Sequence, residues 1–202
     1  MIKNIIFDLG NVLIEYNPQK FIIRNVKEEN FTKFNEVVFK SKEWLDLDRG
    51  ILEYNRAVEI FSEKLPEERE SIKHLFDNSI QDVLFPIEEN LELLSNLKRK
   101  GYKLYILSNF HREAYLEIAK KCNFDRYFDG GVISYDVNLL KPEEDIYRTL
   151  LKKYDLLERE TLFIDDTLNN VKKGSELGIE TIHLTEKSKL KEELERVLKM
   201  KI

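Results

Sequence analysis

The sequence predicts an α/β fold: a Rossmann-like parallel sheet core with an inserted helical cap subdomain. Three observations carry this. From about residue 85 onward, short apolar runs alternate with helix-period segments, the order that a parallel sheet with crossover helices imposes. Those runs are continuously apolar rather than alternating, as strands covered on both faces are. Residues 17–83, by contrast, carry helical patterns and no buried-strand run, in a connection far longer than an ordinary crossover.

The elements follow in order. Residues 5–7 are the first strand, an apolar run that meets Asp8 at once. That run is too short for a signal peptide or a membrane span. In the insert, Phe21, Phe31, Phe34, Val38, Trp44, Phe61 and Phe76 supply apolar faces among many charges. Pro18 and Pro86, two of the four prolines, stand near its ends, and proline pushes the residue before it out of the helical region. The expected division is therefore a core of residues 1–16 plus 84–202 and a helical cap of residues 17–83. Residues 88–100 repeat Leu91, Leu94 and Leu97 on one face and stop at Gly101. Strands are expected at 104–107, 131–133, 162–164 and 181–184. Helices are expected at 113–121, 143–153 and 169–177, the last ended by Gly178, and a charged helix within 186–202.

Composition narrows the function classes. A chain of 202 residues buries roughly 70% of its unfolded surface in a domain of this size. Hydrophobic residues at 42% and charged residues at 35% exclude wholesale disorder. The net charge of −5 argues against a general nucleic-acid binder. Cys122 is the only cysteine, which excludes an intramolecular disulfide and a Cys-rich zinc site. It reads as a small packed residue. The expectation is a cytoplasmic monomer or homodimer with no nucleic-acid or membrane partner.

Three predicted strands end in polar residues: Asp8 after the first, Ser108-Asn109 after residues 104–107, and Asp165-Asp166 after residues 162–164. Each alone reads as a helix cap. In open parallel sheets, however, ligands bind outside the carboxyl ends of the strands, so together these ends define a site if the strands are neighbours. Asp8 beside Asp165 and Asp166 would suffer like-charge repulsion, and Mg2+ suits such carboxylates together with phosphate oxygens. Lys141-Pro142, in the turn after residues 131–133, adds a cation near the same edge. Carboxylates with a metal, a hydroxyl and a lysine form a site fit for phosphoryl transfer.

The motifs FDLGN at 7–11, LSN at 107–109, KP at 141–142 and FIDD with Asn170 at 163–170 resemble those of the haloacid dehalogenase superfamily. The resemblance is to the branch with a helical cap after the first strand. Within it, the chain is similar to small sugar-phosphate phosphatases, including glucose-1-phosphate phosphatases, and to the phosphatase domain of epoxide hydrolases. The resemblance implies a Mg2+-dependent phosphomonoesterase acting on a small phosphorylated metabolite. Asp8 would be the nucleophile that forms an aspartyl-phosphate. Ser108 and Asn109 would bind phosphoryl oxygens, and Lys141 would tie nucleophile to phosphate. Asp8, the Gly10 carbonyl, Asp165 and Asp166 would hold the metal, with Asn170 in support.

Gly10 is a departure. The family's phosphatases commonly carry a second Asp there as general acid and base, whose loss costs about 10²–10⁴-fold. A good leaving group, the substrate itself or His111 could compensate, although the simpler reading of His111 is a surface residue at a helix start. The alternatives are a 2-haloacid dehalogenase, which resembles this chain in lacking that Asp, or a binding protein that retains the fold. In residues 46–53, Gly50 permits a tight turn, and Asp48 and Arg49 are expected to reach the substrate's polar groups. Trp44 and Phe39 are expected to pack inside the cap.

Overall fold

The computed structural model describes residues 1–78 and 82–202. Among the described residues, seven strands form two sheets: β1 (Asn4–Phe7), β2 (Ile14–Tyr16), β3 (Leu84–Pro86), β4 (Lys103–Ser108), β5 (Gly130–Ile133), β6 (Thr161–Asp165) and β7 (Glu180–His183). Five of them make a parallel sheet in the order β5-β4-β1-β6-β7. The five strands expected from the apolar runs are all in it.

β1 sits at the centre of the sheet, and all four of its residues are buried. Its side chains alternate between two faces, as pleating requires. Ile5 and Phe7 pack with Leu94, Leu97, Ile118, Leu190 and Leu194. Ile6 packs on the other face with Ile146, Tyr147, Leu150 and Phe163. The helices that supply these residues follow from their apolar stripes. α6 (Glu88–Arg99), α7 (Arg112–Cys122) and α11 (Leu190–Leu198) cover the first face, and α9 (Glu144–Lys153) covers the second. α10 (Leu168–Glu176) connects β6 to β7.

Between β2 and β3 the chain forms α1 (Pro18–Asn25), α2 (Phe31–Phe34), a π-helical stretch (Asn35–Phe39), α3 (Lys42–Asp48), α4 (Tyr54–Lys64) and α5 (Arg69–Asn78). These helices close around their own apolar cluster, with Phe21, Phe34, Phe61 and Ile72 fully buried. β2 and β3 pair antiparallel, Ile14 with Pro86 and Tyr16 with Leu84, so the chain leaves and re-enters the sheet layer through one short ladder. Three-residue strands carry no periodic signal, so this pair is not legible in the sequence. The four-residue helices α2 and α8 (Ser134–Val137) escape pattern reading for the same reason. Among the described residues, no helix is long and apolar enough to cross a membrane.

Candidate active site at the carboxyl edge of the sheet

Strand register assembles the site. Phe7 lies opposite Ile106 on one side and Ile164 on the other. The next residue, Asp8, is therefore level with the polar ends of both neighbouring strands. The Asp8 N–H still donates to the Ile164 carbonyl at 2.9 Å, which fixes the backbone while the carboxylate faces beyond the sheet. Asp8 Oδ1 accepts from Ser108 Oγ and from the Leu9 N–H, each at 2.7 Å. Lys141 Nζ lies 2.9 Å from the same oxygen and 2.6 Å from Asp165 Oδ2.

Lys141 is held by Asn109. The Lys141 N–H donates to Asn109 Oδ1 at 2.8 Å, and Asn109 Nδ2 donates to the Lys141 carbonyl at 3.1 Å. The expected role of Asn109 was to bind phosphoryl oxygens through side chain and backbone. Here its amide is engaged at both ends in holding the lysine loop. Asp165, fully buried, also accepts from the Thr167 N–H at 2.8 Å and from Asn170 Nδ2 at 3.1 Å. Tyr147 donates to the Asn170 carbonyl at 3.0 Å. Asp166 is more open, and its Oδ2 accepts from Asn11 Nδ2 at 3.0 Å. Asn11 was not singled out from the sequence. Its left-handed backbone, φ +52°, suits asparagine and aims the amide at Asp166.

One carboxylate oxygen from each of Asp8, Asp165 and Asp166 lies within 4.8 Å of the others. That donor set fits a hard divalent cation. Without a cation, burial pushes the Asp8 carboxyl up to about 7, with Lys141 opposing and Asp165 adding to the rise. Burial pulls the Lys141 ammonium down, but Asp165 and Asp8 together outweigh it and hold the lysine above its ordinary value.

A cavity of about 230 Å³ opens over this edge, between Gly10, Asn109 and Asp166 of the core and Trp44 and Asp48 of the insert. Its size suits a small molecule. Asp48, the last residue of α3, points its Oδ1 to within 3.2 Å of His111 Nε2. The ring nitrogen has no hydrogen bond of acceptable geometry, so the approach is close but misaligned. His111 is buried, not a surface histidine. The ring of Trp44 lies 4.3 Å from its ring centroid, and the Tyr54 hydroxyl lies 3.4 Å from Nδ1. The covering groups come from residues 44–54, so nothing next to position 111 in the sequence signals the burial. Burial pulls His111 down to about 3. Burial also pushes Asp48 up to about 8, with Asp8 adding to the rise and Lys141 opposing it.

The expectation that Arg49 faces the substrate is corrected. Arg49 pairs with the Glu143 carboxylate and donates to the Asn138 carbonyl at 3.1 Å. Consecutive residues at a helix end point about 100° apart, and here Asp48 lines the cavity while Arg49 turns to Glu143. Asn138 Nδ2 returns a bond to the Arg49 carbonyl at 2.9 Å, and Ser134 Oγ donates to the Asp48 carbonyl. Gly50 follows with φ +74°, and a Cβ there would meet the Tyr135 carbonyl oxygen at 2.5 Å. The end of α3 is thus fastened to the segment after β5. Trp44 does pack inside the insert, 4.8 Å from Phe39 between ring centroids, but it also lines the cavity. At Gly10 an added Cβ would find nothing closer than Asp8 Oδ2 at 3.9 Å, so the space for a side chain is there and the side chain is not.

Comparison with known proteins bears on the family and the fold. The family model for haloacid dehalogenase-like hydrolases matches residues 2–178. A sesquiterpene phosphatase of Aspergillus oryzae is 27% identical over 184 residues, 91% of this chain and 90% of the relative. A D-ribitol-5-phosphate phosphatase of Bacteroides thetaiotaomicron is 26% identical over 215 residues, 98% of this chain and 99% of the relative. A family enzyme from Bacteroides thetaiotaomicron, solved with magnesium and inorganic phosphate, superposes with a TM-score of 0.75 at 26% identity, covering 90% of this chain and 93% of that one. An L-2-haloacid dehalogenase from Xanthobacter autotrophicus shares the fold at 16% identity and a TM-score of 0.67, covering 90% of this chain and 76% of that one. The parallel sheet, the polar strand ends gathered at its carboxyl edge and the match across residues 2–178 make this chain a member of the haloacid dehalogenase-like hydrolase family.

Proposed function

We propose that this protein is a Mg2+-dependent phosphomonoesterase of small phosphorylated metabolites, sugar and polyol phosphates first among them, working through an aspartyl-phosphate on Asp8. The observation that carries the reading is the environment of one carboxylate. Asp8 is held by Ser108, the Leu9 N–H and Lys141, and a carboxylate oxygen of Asp166, which lines the cavity, lies within 4.8 Å of one of its own. A nucleophile so oriented reacts from a restricted geometry, which lowers the entropic part of the barrier. Phosphatases among the relatives, acting on D-ribitol 5-phosphate and on phosphorylated carbohydrates by their names, support the substrate class.

In this reading Asp8, Asp166 and the Gly10 carbonyl hold Mg2+, which when bound offsets charge on the phosphoryl oxygens. Asp165 contributes chiefly by orienting Lys141, because Lys141, Thr167 and Asn170 already use its oxygens. Ser108 and Lys141 orient the Asp8 carboxylate and, with Asn109 steadying the lysine, contact the phosphoryl group. Residues 17–83 act as a cap that closes the cavity over a small substrate.

The test is phosphate release from a panel of phosphorylated metabolites, with Mg2+ and with EDTA, on wild type and Asp8→Asn. Mg2+-dependent release that falls at least about 10³-fold in the variant is expected. Chloride release from a 2-chloroacid without Mg2+, and no phosphate release from any ester, would replace the phosphatase reading with a dehalogenase.

A further inference from the structure

Departure of a plain alcohol from phosphorus needs a proton, and Gly10 has no side chain to give one. The cavity supplies another candidate. Asp48 lines it together with Gly10, Asn109 and Asp166, although Asp48 belongs to the insert and the others to the core. We propose that Asp48, at the end of α3, is the general acid and base of the reaction, standing in for the carboxyl that position 10 lacks. The proposal rests on the phosphomonoesterase reading.

Three features of the structure support it. The first is immobilisation. The Asp48 carbonyl accepts from Ser134, and the next two residues are fastened by Arg49 to Glu143, by Asn138 to the Arg49 carbonyl, and by the contact of Gly50 with Tyr135. These bonds tie the backbone at the end of α3 to the core, which helps to position the carboxyl as a proton donor.

The second is the state of the carboxyl. The ionisable groups around it are Asp8, Lys141, His111, Tyr16 and Tyr54. Burial raises the Asp48 carboxyl, with Asp8 adding to the rise and Lys141 opposing it, which favours the protonated form that a donor needs. The third is the weakness of the other candidate. His111 also lines the cavity, but burial under Trp44 and Tyr54 keeps its ring neutral, with no extra proton to donate.

The steps balance. An Asp8 oxygen forms a bond to phosphorus while the P–O bond to the alcohol breaks. The electron pair leaves on the alkoxide oxygen, which takes the Asp48 proton and departs as the alcohol. The Asp48 carboxylate then accepts a proton from water as that water attacks phosphorus. The P–O bond to Asp8 breaks, its electron pair returns to the carboxylate, and inorganic phosphate is released with Asp48 protonated again.

The experiment compares leaving groups. A nitrophenolate needs no proton to depart, whereas an alkoxide does. kcat/KM of wild type and Asp48→Asn is measured on 4-nitrophenyl phosphate and on the best primary alkyl phosphate of the panel, with Asp48→Ser as a second variant. The expected loss is about 10²–10⁴-fold on the alkyl ester and at least about tenfold smaller on the nitrophenyl ester, whose turnover also certifies a folded variant. Adding Gly10→Asp to Asp48→Asn is expected to restore alkyl-ester turnover by at least about tenfold, because the space at position 10 is open. Equal losses on the two esters, or no loss on the alkyl ester, would overturn the role of Asp48. A wild type that hydrolyses neither ester would instead overturn the phosphomonoesterase reading itself.

Discussion

Lys141 is buried between two carboxylates, Asp8 and Asp165. Removing the cation strands both. Lys141→Met is expected to cost about 3–5 kcal/mol, read by urea unfolding in EDTA, with Mg2+ recovering part of the loss. Asp48 gives a second residue-scale prediction, this time in pH. Its folded-state pKa of about 8 lies above the ordinary aspartate value, so the folded protein binds a proton that the unfolded chain releases. That group therefore costs nothing at low pH, costs progressively more as pH rises through the gap, and reaches its full cost above about 8. Asp48→Asn lacks the ionisation. Relative to wild type, it is expected to gain on the order of a few kcal/mol between about pH 5 and about pH 8.5, measured by urea midpoints. A difference that stays flat across that range would contradict a buried, proton-holding Asp48.

At the scale of elements, the decisive feature is the end of α3. Helix geometry sends Asp48 into the cavity and Arg49 out to Glu143, so one short helix both supplies a cavity group and fastens itself. Gly50 closes the junction. Gly50→Ala is expected to lower stability by about 1–3 kcal/mol and to depress kcat/KM by displacing Asp48. Gly101→Ala is the control, since Gly101 also has a positive φ, +88°, but a Cβ there meets nothing within 4 Å. If the two variants lose stability and turnover alike, the contact with Tyr135 is not what holds α3 in place. The Arg49–Glu143 pair is partly exposed, so Arg49→Ala is expected to cost under about 1 kcal/mol of stability.

At the scale of the molecule, the described residues form one apolar cluster on each face of the sheet and a separate one among α1–α5. Phe61 is fully buried in the last of these. Phe61→Ala is expected to cost about 3–5 kcal/mol. Because its contacts are with the helical cluster, hydrogen exchange should quicken in α1, α3 and α4 while β1, β4 and β6 keep their protection. Uniform loss of protection would mean that insert and sheet unfold as one unit.

The sheet was legible from the sequence because strands buried on both faces are written as continuous apolar runs, and each of the five runs lies in the parallel sheet. The convergence of Asp8, Ser108 and Asp165 was legible too, since polar residues that end neighbouring parallel strands must meet at one edge, and Lys141 joins them from the segment after β5. Three-residue strands and four-residue helices carry too few positions to show a period, so β2, β3, α2 and α8 were not. Contacts between distant segments were also hidden. The sequence places His111 at a helix start and says nothing of Trp44 and Tyr54 closing over it. It puts Asp48 and Arg49 side by side and cannot tell which faces the cavity. Local pattern determined the elements and the strand ends, because periodicity and chain direction act over a few residues. Tertiary structure alone decided the burial of His111, the outward turn of Arg49 and the meeting of Asp48 with the space beside Gly10, because those depend on how the insert docks against the sheet.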